Sequence, residues 1–275
     1  MDNVIFADSW EAYFAGLGLR RFDDFYNYDD VTTINRNRKR NVQRMVFGSG
    51  PDCRVFFMKR FERPHLKDML AARGRGDRLV SQAGVEWRNA WYLLNHGIGT
   101  YEPVCVGERT GWGLEKASFF VTQELDAVCL LDLVLERWHS LDRRRQEAIL
   151  VAVANLARTV HGLDISLPDL QVWHLYLHAD DSADIGRLSV IDLHRMTQRV
   201  RSPRKKARDL SRLLWSMVPE YFDEGHRRLL METYLDGLTV PRKRALQAVI
   251  TNYEAALNAR HTAHRYYKSI QTSST

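Results

Sequence analysis

The sequence has few cysteines and no long apolar segment. Cys53, Cys105 and Cys129 are far apart and form no Cys-x-x-Cys pair, so neither a disulfide framework nor a zinc site is encoded. The best apolar stretch, residues 148–157, is interrupted by Asn155 and is shorter than the roughly 20 residues that cross a bilayer core. No basic segment precedes an apolar core at the N-terminus, so we expect no secretory signal. These absences predict a cytoplasmic protein without a membrane span.

The composition is that of a globular protein with an excess of basic residues. The 275 residues are 45% hydrophobic and 27% charged, which is enough to bury a sizeable core and excludes disorder for most of the chain. Lysine and arginine number 40 against 34 aspartates and glutamates, which gives a net charge of +6 with histidine neutral. This charge favours an anionic partner, such as a nucleic acid, a phosphate or a lipid headgroup, without choosing among them.

The first third of the chain shows the pattern of a sheet with one helix. Two runs of β-formers, 42–47 and 54–59, flank a turn-forming Gly-Ser-Gly-Pro-Asp segment and predict a β-hairpin. The apolar spacing over residues 81–96 then predicts a helix. A further pair of strand-like runs follows, and residues 107–111 are predicted to connect them. We expect a small antiparallel sheet in this region.

Helical patterns dominate after Leu130. One predicted strand pair interrupts them, at 173–178 and 187–192, and its polar linker, 179–186, is typical of a hairpin turn. The predicted helices of this region are 130–138, 142–161, 207–217, 223–235 and one that begins at Pro241. We therefore expect an α+β fold, with a small β-rich lobe joined to a larger helical lobe near residues 124–129. A cleft between two lobes is a favoured place for a ligand.

Lys59 and Glu86 are the first candidate site residues. Lys59 ends the second strand of the predicted hairpin, and Glu86 lies early in the predicted helix. A lysine in a mostly apolar strand is costly to bury unless its ammonium group meets an anion, so we expect a partner such as Glu86 or a phosphate. The two residues alone are also compatible with a strand edge and a helix face in water.

Asp169, His174 and Asp192 bracket the second predicted hairpin. His174 follows Asp169 by 5 positions, and Asp192 ends an apolar run. Carboxylates in such a setting are costly unless they bind a cation. With Lys59 and Glu86 in front, the order Lys, Glu, Asp, His, Asp matches the parts of phosphoryl transfer on a protein-kinase-like scaffold. The spacing of Asp169 and His174 on its own is more typical of a histidine buried in a core.

Several segments of the chain match the pattern of one known family: FFMKRF, VEWRNAWYLLNHGIGTYEPV, FFVTQELD, DLQVWHLYL, LSVIDLHRM and KARDLSRLLWS. Over roughly residues 32–217 the sequence resembles the lipopolysaccharide core kinases related to the Kdo and WaaP heptose kinases. The resemblance is specific, because Asp-Leu-His-Arg replaces the Asp-Phe-Gly of ordinary protein kinases and a histidine replaces their catalytic-loop asparagine. It implies a two-lobed protein-kinase-like fold and ATP-dependent phosphorylation of a sugar hydroxyl, on heptose or Kdo, in the lipopolysaccharide inner core.

The resemblance implies a role for each of the candidate residues. Lys59 would hold the α- and β-phosphates of ATP, and Glu86 would orient Lys59. Asp169 would accept or orient the proton of the attacking sugar hydroxyl. Asp192 would bind Mg²⁺, and His174 would stand in the position of the asparagine. Because Mg²⁺ prefers oxygen ligands, His174 is expected either to bind the metal or to act through a hydrogen bond or a water.

Roles outside the reacting groups follow from the same resemblance. The backbone of Gln123, Glu124 and Leu125 would meet the adenine, and Asp209 would anchor the catalytic loop. The chain would divide into an N-terminal extension, a kinase-like N-lobe, a kinase-like C-lobe and a frayed tail: residues 1–31, 32–125, 126–269 and 270–275.

The chain departs from the pattern of the family in two places. Leu167 and Pro168 replace the usual histidine and arginine before the catalytic aspartate, which removes a buried hydrogen-bonding group that steadies the loop. A catalytically impaired, nucleotide-binding module is therefore an alternative function. The segment expected to cover the phosphates, 35–44, has no Gly-x-Gly-x-x-Gly motif. It holds basic residues instead: Arg36, Arg38, Lys39, Arg40 and Arg44.

Basic residues are concentrated between Arg195 and Arg212, against the single acid Asp209. This segment is expected to hold an anionic, lipid-linked saccharide, the lipopolysaccharide core, and to place the protein peripherally on the inner face of the inner membrane. A solvated loop and helix face gives the same pattern. A basic nucleic-acid-binding protein is a further alternative, but the sequence has no reader motif for it, so no nucleic-acid partner is expected.

Overall fold

In the computed structural model, the first unit of the chain, Met1–Leu125, is built on an antiparallel β-sheet, and the second, Asp126–Thr275, is mostly helical. This division is the α+β composition that the sequence predicts. The structure describes residues 1–7, 9–36, 40–62, 69, 78–179, 187–260 and 262–271. None of the helices within these ranges is long and apolar enough to cross a bilayer.

Helices and strands are interspersed along the first unit. Its elements are β1 (Asp2–Phe6), α1 (Trp10–Gly16), α2 (Phe22–Tyr26), β2 (Thr32–Arg36), β3 (Arg40–Phe47), β4 (Arg54–Glu62), α3 (Gln82–Asn95), β5 (Pro103–Gly111) and β6 (Leu114–Gln123). The strands form one sheet in the order β1-β5-β6-β4-β3-β2, and every neighbouring pair is antiparallel. The predicted hairpin is the pair β3–β4, with Met45 opposite Phe56.

One face of this sheet is covered by an aromatic core to which the first residues of the chain contribute. Phe14 on α1 and Phe25 on α2 are fully buried against Phe56 and Phe119 of the sheet, with ring centroids 5.1 Å apart for Phe14–Phe56 and for Phe25–Phe119. Strand β1 pairs with β5 along its whole length. The segment expected as an N-terminal extension, residues 1–31, is therefore an integral part of the first unit.

The other face of the sheet carries helix α3. The Oγ of Ser81 accepts a hydrogen bond from the Gly84 N–H at 3.0 Å, which caps the helix at the start that its apolar spacing predicts. Its buried residues include Val85, Ala90 and Leu93, at the spacing that places side chains on one stripe of a helix. Glu86 lies on this buried side, so its carboxylate is carried into the space between helix and sheet.

The predicted connection at residues 107–111 is wrong, because these residues belong to strand β5. A Cβ atom at Gly107 would lie 2.2 Å from the Phe119 ring, so the glycine is required by close packing within the sheet and not by a turn. The turn lies instead at Trp112 and Gly113, which both have positive φ angles, 57° and 70°. Two such residues between paired strands are typical of a tight two-residue hairpin.

The second unit is mostly helical and has a small sheet. Its elements are β7 (Val128–Cys129), α4 (Leu130–Arg137), α5 (Arg143–Gly162), β8 (Leu175–Leu177), β9 (Leu188–Val190), α6 (Pro203–Ser216), α7 (Glu224–Leu235), α8 (Val240–Asn258) and α9 (His264–Gln271). The strands pair in the order β7-β8-β9. The expected frayed tail, 270–275, begins within α9, and its residues 272–275 lie outside the described residues.

The second predicted hairpin is shorter in the structure than in the sequence pattern. The run 173–178 begins with a 3₁₀ turn, Val172–His174, in which the His174 N–H donates to the Gln171 carbonyl at 2.9 Å, and only Leu175–Leu177 forms the strand. The His174 ring also contacts the Asp169 carbonyl through Nδ1 at 2.8 Å, and such local hydrogen bonds compete with strand pairing of these residues. The greater part of the predicted linker, 180–186, lies outside the described residues.

Replacing Phe56 by alanine is expected to destabilise the first unit by about 3–5 kcal/mol, because it deletes a fully buried ring and leaves a cavity. Val46→Ala on the neighbouring strand β3 is the control, since that side chain is 39% exposed and its loss should cost less than about 0.5 kcal/mol. Urea denaturation followed by tryptophan fluorescence measures both free energies of unfolding. Equal losses in the two variants would contradict the placement of Phe56 in the core.

Candidate functional site

Lys59 and Glu86 form an ion pair in the first unit. The Nζ of Lys59 on β4 lies 2.5 Å from the Oε1 of Glu86 on α3. The Glu86 side chain is fully buried, and 17% of the Lys59 side chain is exposed. Tyr101 joins the pair, because its hydroxyl donates to the same carboxylate oxygen at 2.5 Å and its ring centroid is 6.0 Å from Nζ. The anion that a lysine in this strand requires is therefore Glu86, held from a second side by Tyr101.

The alternation of β4 explains why Lys59 faces the helix. Phe56 and Met58 are fully buried and belong to the aromatic core on the opposite face of the sheet. Successive side chains of a strand point to opposite faces, so Lys59 projects toward α3. Within the described residues, the Oε2 of Glu86 is buried and has no hydrogen-bond partner. A buried ion pair with such an oxygen is weak as a stabilising device, which favours a functional reason for the pair.

The segment expected to meet an adenine follows strand β6. The Gln123 N–H donates to the Glu102 carbonyl at 3.0 Å, and the Glu124 N–H donates to the Val55 carbonyl at 3.0 Å. Both amides are thus engaged with neighbouring segments of the first unit. A ligand at this segment would use other backbone groups, such as those of Leu125, where the first unit ends.

Part of the basic segment expected to cover phosphates lies outside the described residues, at 37–39. The residues on either side of it belong to the paired strands β2 and β3. Arg44 on β3 lies with its Nε 3.7 Å from the Oε1 of Glu124, and both side chains are more than one-third exposed. Arg44 is therefore placed beside the segment expected to meet the adenine.

Asp169 lies in the second unit, on a loop that contacts the side chains of Arg195 and His174. The Oδ1 of Asp169 is 2.8 Å from Nη1 of Arg195, and the Asp169 backbone carbonyl is 2.8 Å from Nδ1 of His174. A carbonyl oxygen only accepts, so His174 donates from Nδ1 and its Nε2 is an acceptor in the neutral ring. The Oδ2 of Asp169 is buried and has no partner among the described residues.

Asp192 occupies a conformation that is unusual for a residue with a side chain. Asp192 lies two residues after the end of strand β9. Its φ and ψ angles are both 62°, in the left-handed region. Such backbone strain is concentrated at functional sites. The Oδ1 of Asp192 is 2.8 Å from Nδ1 of His194, and its Oδ2 is 3.8 Å from Nε2 of His174. The strained turn thus presents the Asp192 carboxylate to two histidines.

Ligand atoms from Asp169, Asp192 and His194 lie within 4.8 Å of one another, a spacing that suits one metal ion. The two carboxylates fit Mg²⁺, which prefers oxygen ligands, and the buried Oδ2 of Asp169 is an acceptor that a cation would satisfy. His174, expected at the metal, lies beside this group, with its Nε2 facing Asp192 and its Nδ1 committed to the Asp169 carbonyl. The residues present therefore fit a divalent cation.

Side chains of α6 form hydrogen bonds with the backbone of the loop before Asp169. The Leu167 N–H donates to Oδ2 of Asp209 at 2.8 Å, and Asp209 is 1% exposed. The same oxygen lies 3.5 Å from Nε2 of His161. Arg212 donates to the Pro168 carbonyl at 2.8 Å, and its burial lowers its pKa. Leu167 and Pro168 thus have their backbone groups fixed by other side chains, although they lack polar side chains of their own.

The basic segment between Arg195 and Arg212 is partly engaged within the second unit. Lys206 lies 2.7 Å from Asp164, whose pKa is lowered chiefly by that hydrogen bond. The guanidinium of Arg208 lies 4.6 Å from the ring centroid of Tyr253. The members that are exposed to solvent are Arg195, Arg199, Arg201, Arg204, Lys205 and Arg208. Of these, Arg195 contacts Asp169 and Arg201 lies 3.9 Å from Asp164. Because these contacts engage part of the segment, the basic surface available to bind an anion is smaller than the number of basic residues in the sequence suggests.

Two residues at these positions, Tyr101 and His194, are not predicted as site residues from the sequence. Arg195 is expected only as part of the basic segment for the saccharide, and not as a partner of Asp169. Tyr101 reaches Glu86 across 15 positions, and no local spacing indicates such a contact. His194 and Arg195 stand in the Asp-Leu-His-Arg segment that carries the resemblance, directly after Asp192. Their chemistry is therefore visible in the sequence, as a donor and a cation next to a carboxylate that is expected to bind a metal.

A comparison with protein families matches residues 57–234 to the Lipopolysaccharide kinase (Kdo/WaaP) family. Among characterised proteins, the lipopolysaccharide core heptose(I) kinase WaaP of Pseudomonas aeruginosa is 31% identical over 160 residues, which is 56% of this chain and 60% of that protein. The enzyme of the same name from Escherichia coli K12 is 28% identical over 169 residues, 55% of this chain and 64% of that protein. The chain thus aligns with less than two thirds of each relative.

Among solved structures, WaaP in complex with acyl carrier protein superposes with a TM-score of 0.69. The match covers 93% of this chain and 99% of that chain at 23% identity. Because WaaP has a kinase-like fold, this similarity confirms the protein-kinase-like fold that the resemblance implies.

Asp209→Ala is expected to lower the free energy of unfolding of the second unit by about 1–3 kcal/mol, because the Leu167 N–H loses its buried acceptor. Asp209→Asn keeps an acceptor oxygen at the same place and should retain more of the stability. Thermal denaturation of the two variants makes the comparison. An alanine variant as stable as the wild type would show that Asp209 does not anchor the loop.

Proposed function

Because the chain belongs to the Lipopolysaccharide kinase (Kdo/WaaP) family, we propose that it transfers the γ-phosphoryl group of ATP to a sugar hydroxyl of the lipopolysaccharide core. The observation that carries the proposal is the ordered set Lys59, Glu86, Asp169 and Asp192, all within the matched residues 57–234. Lys59 and Glu86 are paired in the first unit, and the two aspartates lie together in the second. Each pair has the chemistry that one side of phosphoryl transfer requires.

On the nucleotide side, Lys59 would bind the α- and β-phosphates as a point charge. Glu86 holds its ammonium group, and Tyr101 in turn holds the Glu86 carboxylate, which supports a role in orienting the phosphates. The backbone at Gln123–Leu125 would receive the adenine. This half of the proposal needs only residues of the first unit.

On the acceptor side, Asp169 would take the proton of the attacking hydroxyl. The hydroxyl oxygen forms a bond to the γ-phosphorus, the bond from this phosphorus to the bridging oxygen breaks, and ADP leaves. Asp192, with Asp169 and His194 beside it, would hold a divalent cation, expected to be Mg²⁺, which when bound offsets the negative charge of the phosphates. His174 would position Asp169 through the carbonyl that it contacts.

The supported loop favours an active enzyme over an impaired module. Leu167 and Pro168 have no polar side chain, but Asp209 and Arg212 fix their backbone groups. Arg195 fixes one oxygen of Asp169. The hydrogen bonds that the missing histidine and arginine would supply are thus replaced by contacts from the segments that follow Asp192.

The acceptor is proposed to be an anionic, lipid-linked saccharide. Two relatives are core heptose(I) kinases, which makes a heptose hydroxyl the first acceptor to test and Kdo the second. The exposed basic residues at positions 199–205 would contact its acidic groups or the membrane surface from the cytoplasmic side.

Asp169→Asn is expected to reduce phosphate transfer by about 10²–10⁴-fold, because the amide cannot accept the hydroxyl proton. The measurement is the transfer of radiolabelled phosphate from ATP to core lipopolysaccharide from a strain lacking this chain. Asp236→Asn is the control, because this carboxylate of the same unit is 72% exposed and should be dispensable. A wild-type protein that binds ATP but phosphorylates neither heptose nor Kdo would favour the impaired module instead.

Asp192→Asn is expected to abolish most of the thermal stabilisation that Mg·ATP gives the wild type, since one of two carboxylates at the cation is lost. A Mn²⁺ titration followed by the melting temperature, without nucleotide, tests the cation site alone. Asp164→Asn serves as the matched control, because Asp164 pairs with Lys206 and lies outside the proposed cation site. Equal stabilisation of wild type and Asp192→Asn by Mn²⁺ would contradict the assignment.

A further inference from the structure

Two buried carboxylates from the sheet hold the first turn of helix α3. The Oε2 of Glu108 on β5 accepts hydrogen bonds from the Val80 N–H at 3.0 Å and the Ser81 N–H at 3.2 Å. The Oε2 of Glu115 on β6 accepts from the Gln82 N–H at 3.0 Å. Three successive amides at the start of one helix are thus bound by side chains of two neighbouring strands.

This arrangement is stronger than an ordinary cap. A helix start leaves amides without partners and carries a partial positive charge, so a carboxylate there is favoured twice. Ser81 already supplies a local cap through its contact to Gly84. Glu108 and Glu115 add a connection to the sheet, and they are only 5% and 3% exposed, so their hydrogen bonds are shielded from water.

Keeping these two carboxylates in the interior is costly. Burial raises the pKa of Glu115, and the charge of Glu108 adds to this effect. The second oxygen of Glu115 accepts a hydrogen bond from the Ser118 hydroxyl at 2.5 Å. A cap needed only for stability could be provided by an exposed Ser, Thr or Asp at lower cost, as Asp142 does for α5 by accepting from the Arg145 N–H at 2.7 Å.

The held turn lies directly before the residue that pairs with Lys59. Gln82 and Glu86 are four positions apart, which is about one helical turn, or about 5–6 Å along the axis. Lys59 is on β4, and the sheet order places β4, β6 and β5 side by side. The same sheet therefore holds the start of the helix and carries the lysine that its glutamate must reach.

We propose that Glu108 and Glu115 are positioning residues of the phosphoryl-transfer site, which fix helix α3 so that Glu86 meets Lys59. The inference rests on the proposed function. Its physical basis is that α3 is joined to the sheet at two places one turn apart, by the two carboxylates and by the Lys59–Glu86 pair. Loss of the first connection allows the helix to shift, and Lys59 then loses its fixed position for the phosphates.

The test compares Glu108→Ala and Glu115→Gln with the wild type and with Asp142→Ala, which removes the carboxylate cap of a helix in the second unit. Glu108→Ala is expected to raise the KM for ATP and to lower kcat/KM for ATP by about 10–10²-fold, as a displacement of about 1 Å can do. The KM for the saccharide acceptor should change little. Asp142→Ala should lose stability of a similar size and keep the wild-type KM for ATP.

Glu115→Gln keeps an acceptor for the Gln82 N–H without the buried charge, so it should retain a KM for ATP within a few-fold of the wild type. Hydrogen exchange of the amides of residues 80–82 provides a readout that needs no catalysis. In Glu108→Ala these amides should exchange faster, while the amides at the start of α5 stay protected. The reverse should hold in Asp142→Ala.

Three results would overturn the proposal. One is an unchanged KM for ATP in a folded Glu108→Ala variant, and another is an equal rise in Asp142→Ala, which would indicate general destabilisation. The third is a wild-type protein that neither binds ATP nor transfers phosphate, which removes the proposed function as well. The first two results leave the proposed function intact, so the two failures are distinguishable.

Discussion

The buried ion pair between Lys59 and Glu86 is the interaction on which the organisation of the first unit depends. A charged lysine in an interior strand is tolerated because a carboxylate from α3 pairs with it, and a tyrosine hydroxyl donates a hydrogen bond to that carboxylate. For Glu86 to reach Lys59, the helix must pack on that face of the sheet at a fixed position along its own axis. The aromatic core packs on the opposite face and stabilises the sheet. Both the helix and the core therefore contribute to the position of the Lys59 ammonium group.

In the second unit, charged side chains are positioned by loops instead of by a helix. Asp169 and Asp192 are carried by irregular segments, which have no ladder of hydrogen bonds to define their course. Their positions are set by side chains that bind backbone groups: Asp209 and Arg212 below the loop, and His174 beside it. The left-handed turn at Asp192 turns its carboxylate toward Asp169 and His194. Fixed polar contacts thus replace regular structure where acidic groups must lie close together.

Much of this fold could be predicted from periodicity and charge. The helix predicted over residues 81–96 is observed as Gln82–Asn95. The cost of burying an ammonium group predicts an anionic partner for Lys59, and of the two candidates, Glu86 and a phosphate, the structure places Glu86 there. The connection predicted at residues 107–111 is wrong, because Gly107 is required by packing against Phe119 rather than by a turn. The contact of Tyr101 could not be predicted, since it joins two elements whose approach is decided only by folding.

Strand β5 has a consequence for how the chain tolerates changes in its length. Gly107 faces Phe119 in the aromatic core, while the adjacent Glu108 faces the start of α3. The pairing of β5 with β6 is regular from Cys105 to Arg109, so successive residues there alternate between faces. Insertion or deletion of one residue between Cys105 and Gly107 would exchange the two. A carboxylate would then enter the aromatic layer, and the helix would meet a glycine. The regular stretch of β5 from Cys105 to Arg109 is therefore expected to tolerate substitutions better than any change in its number of residues.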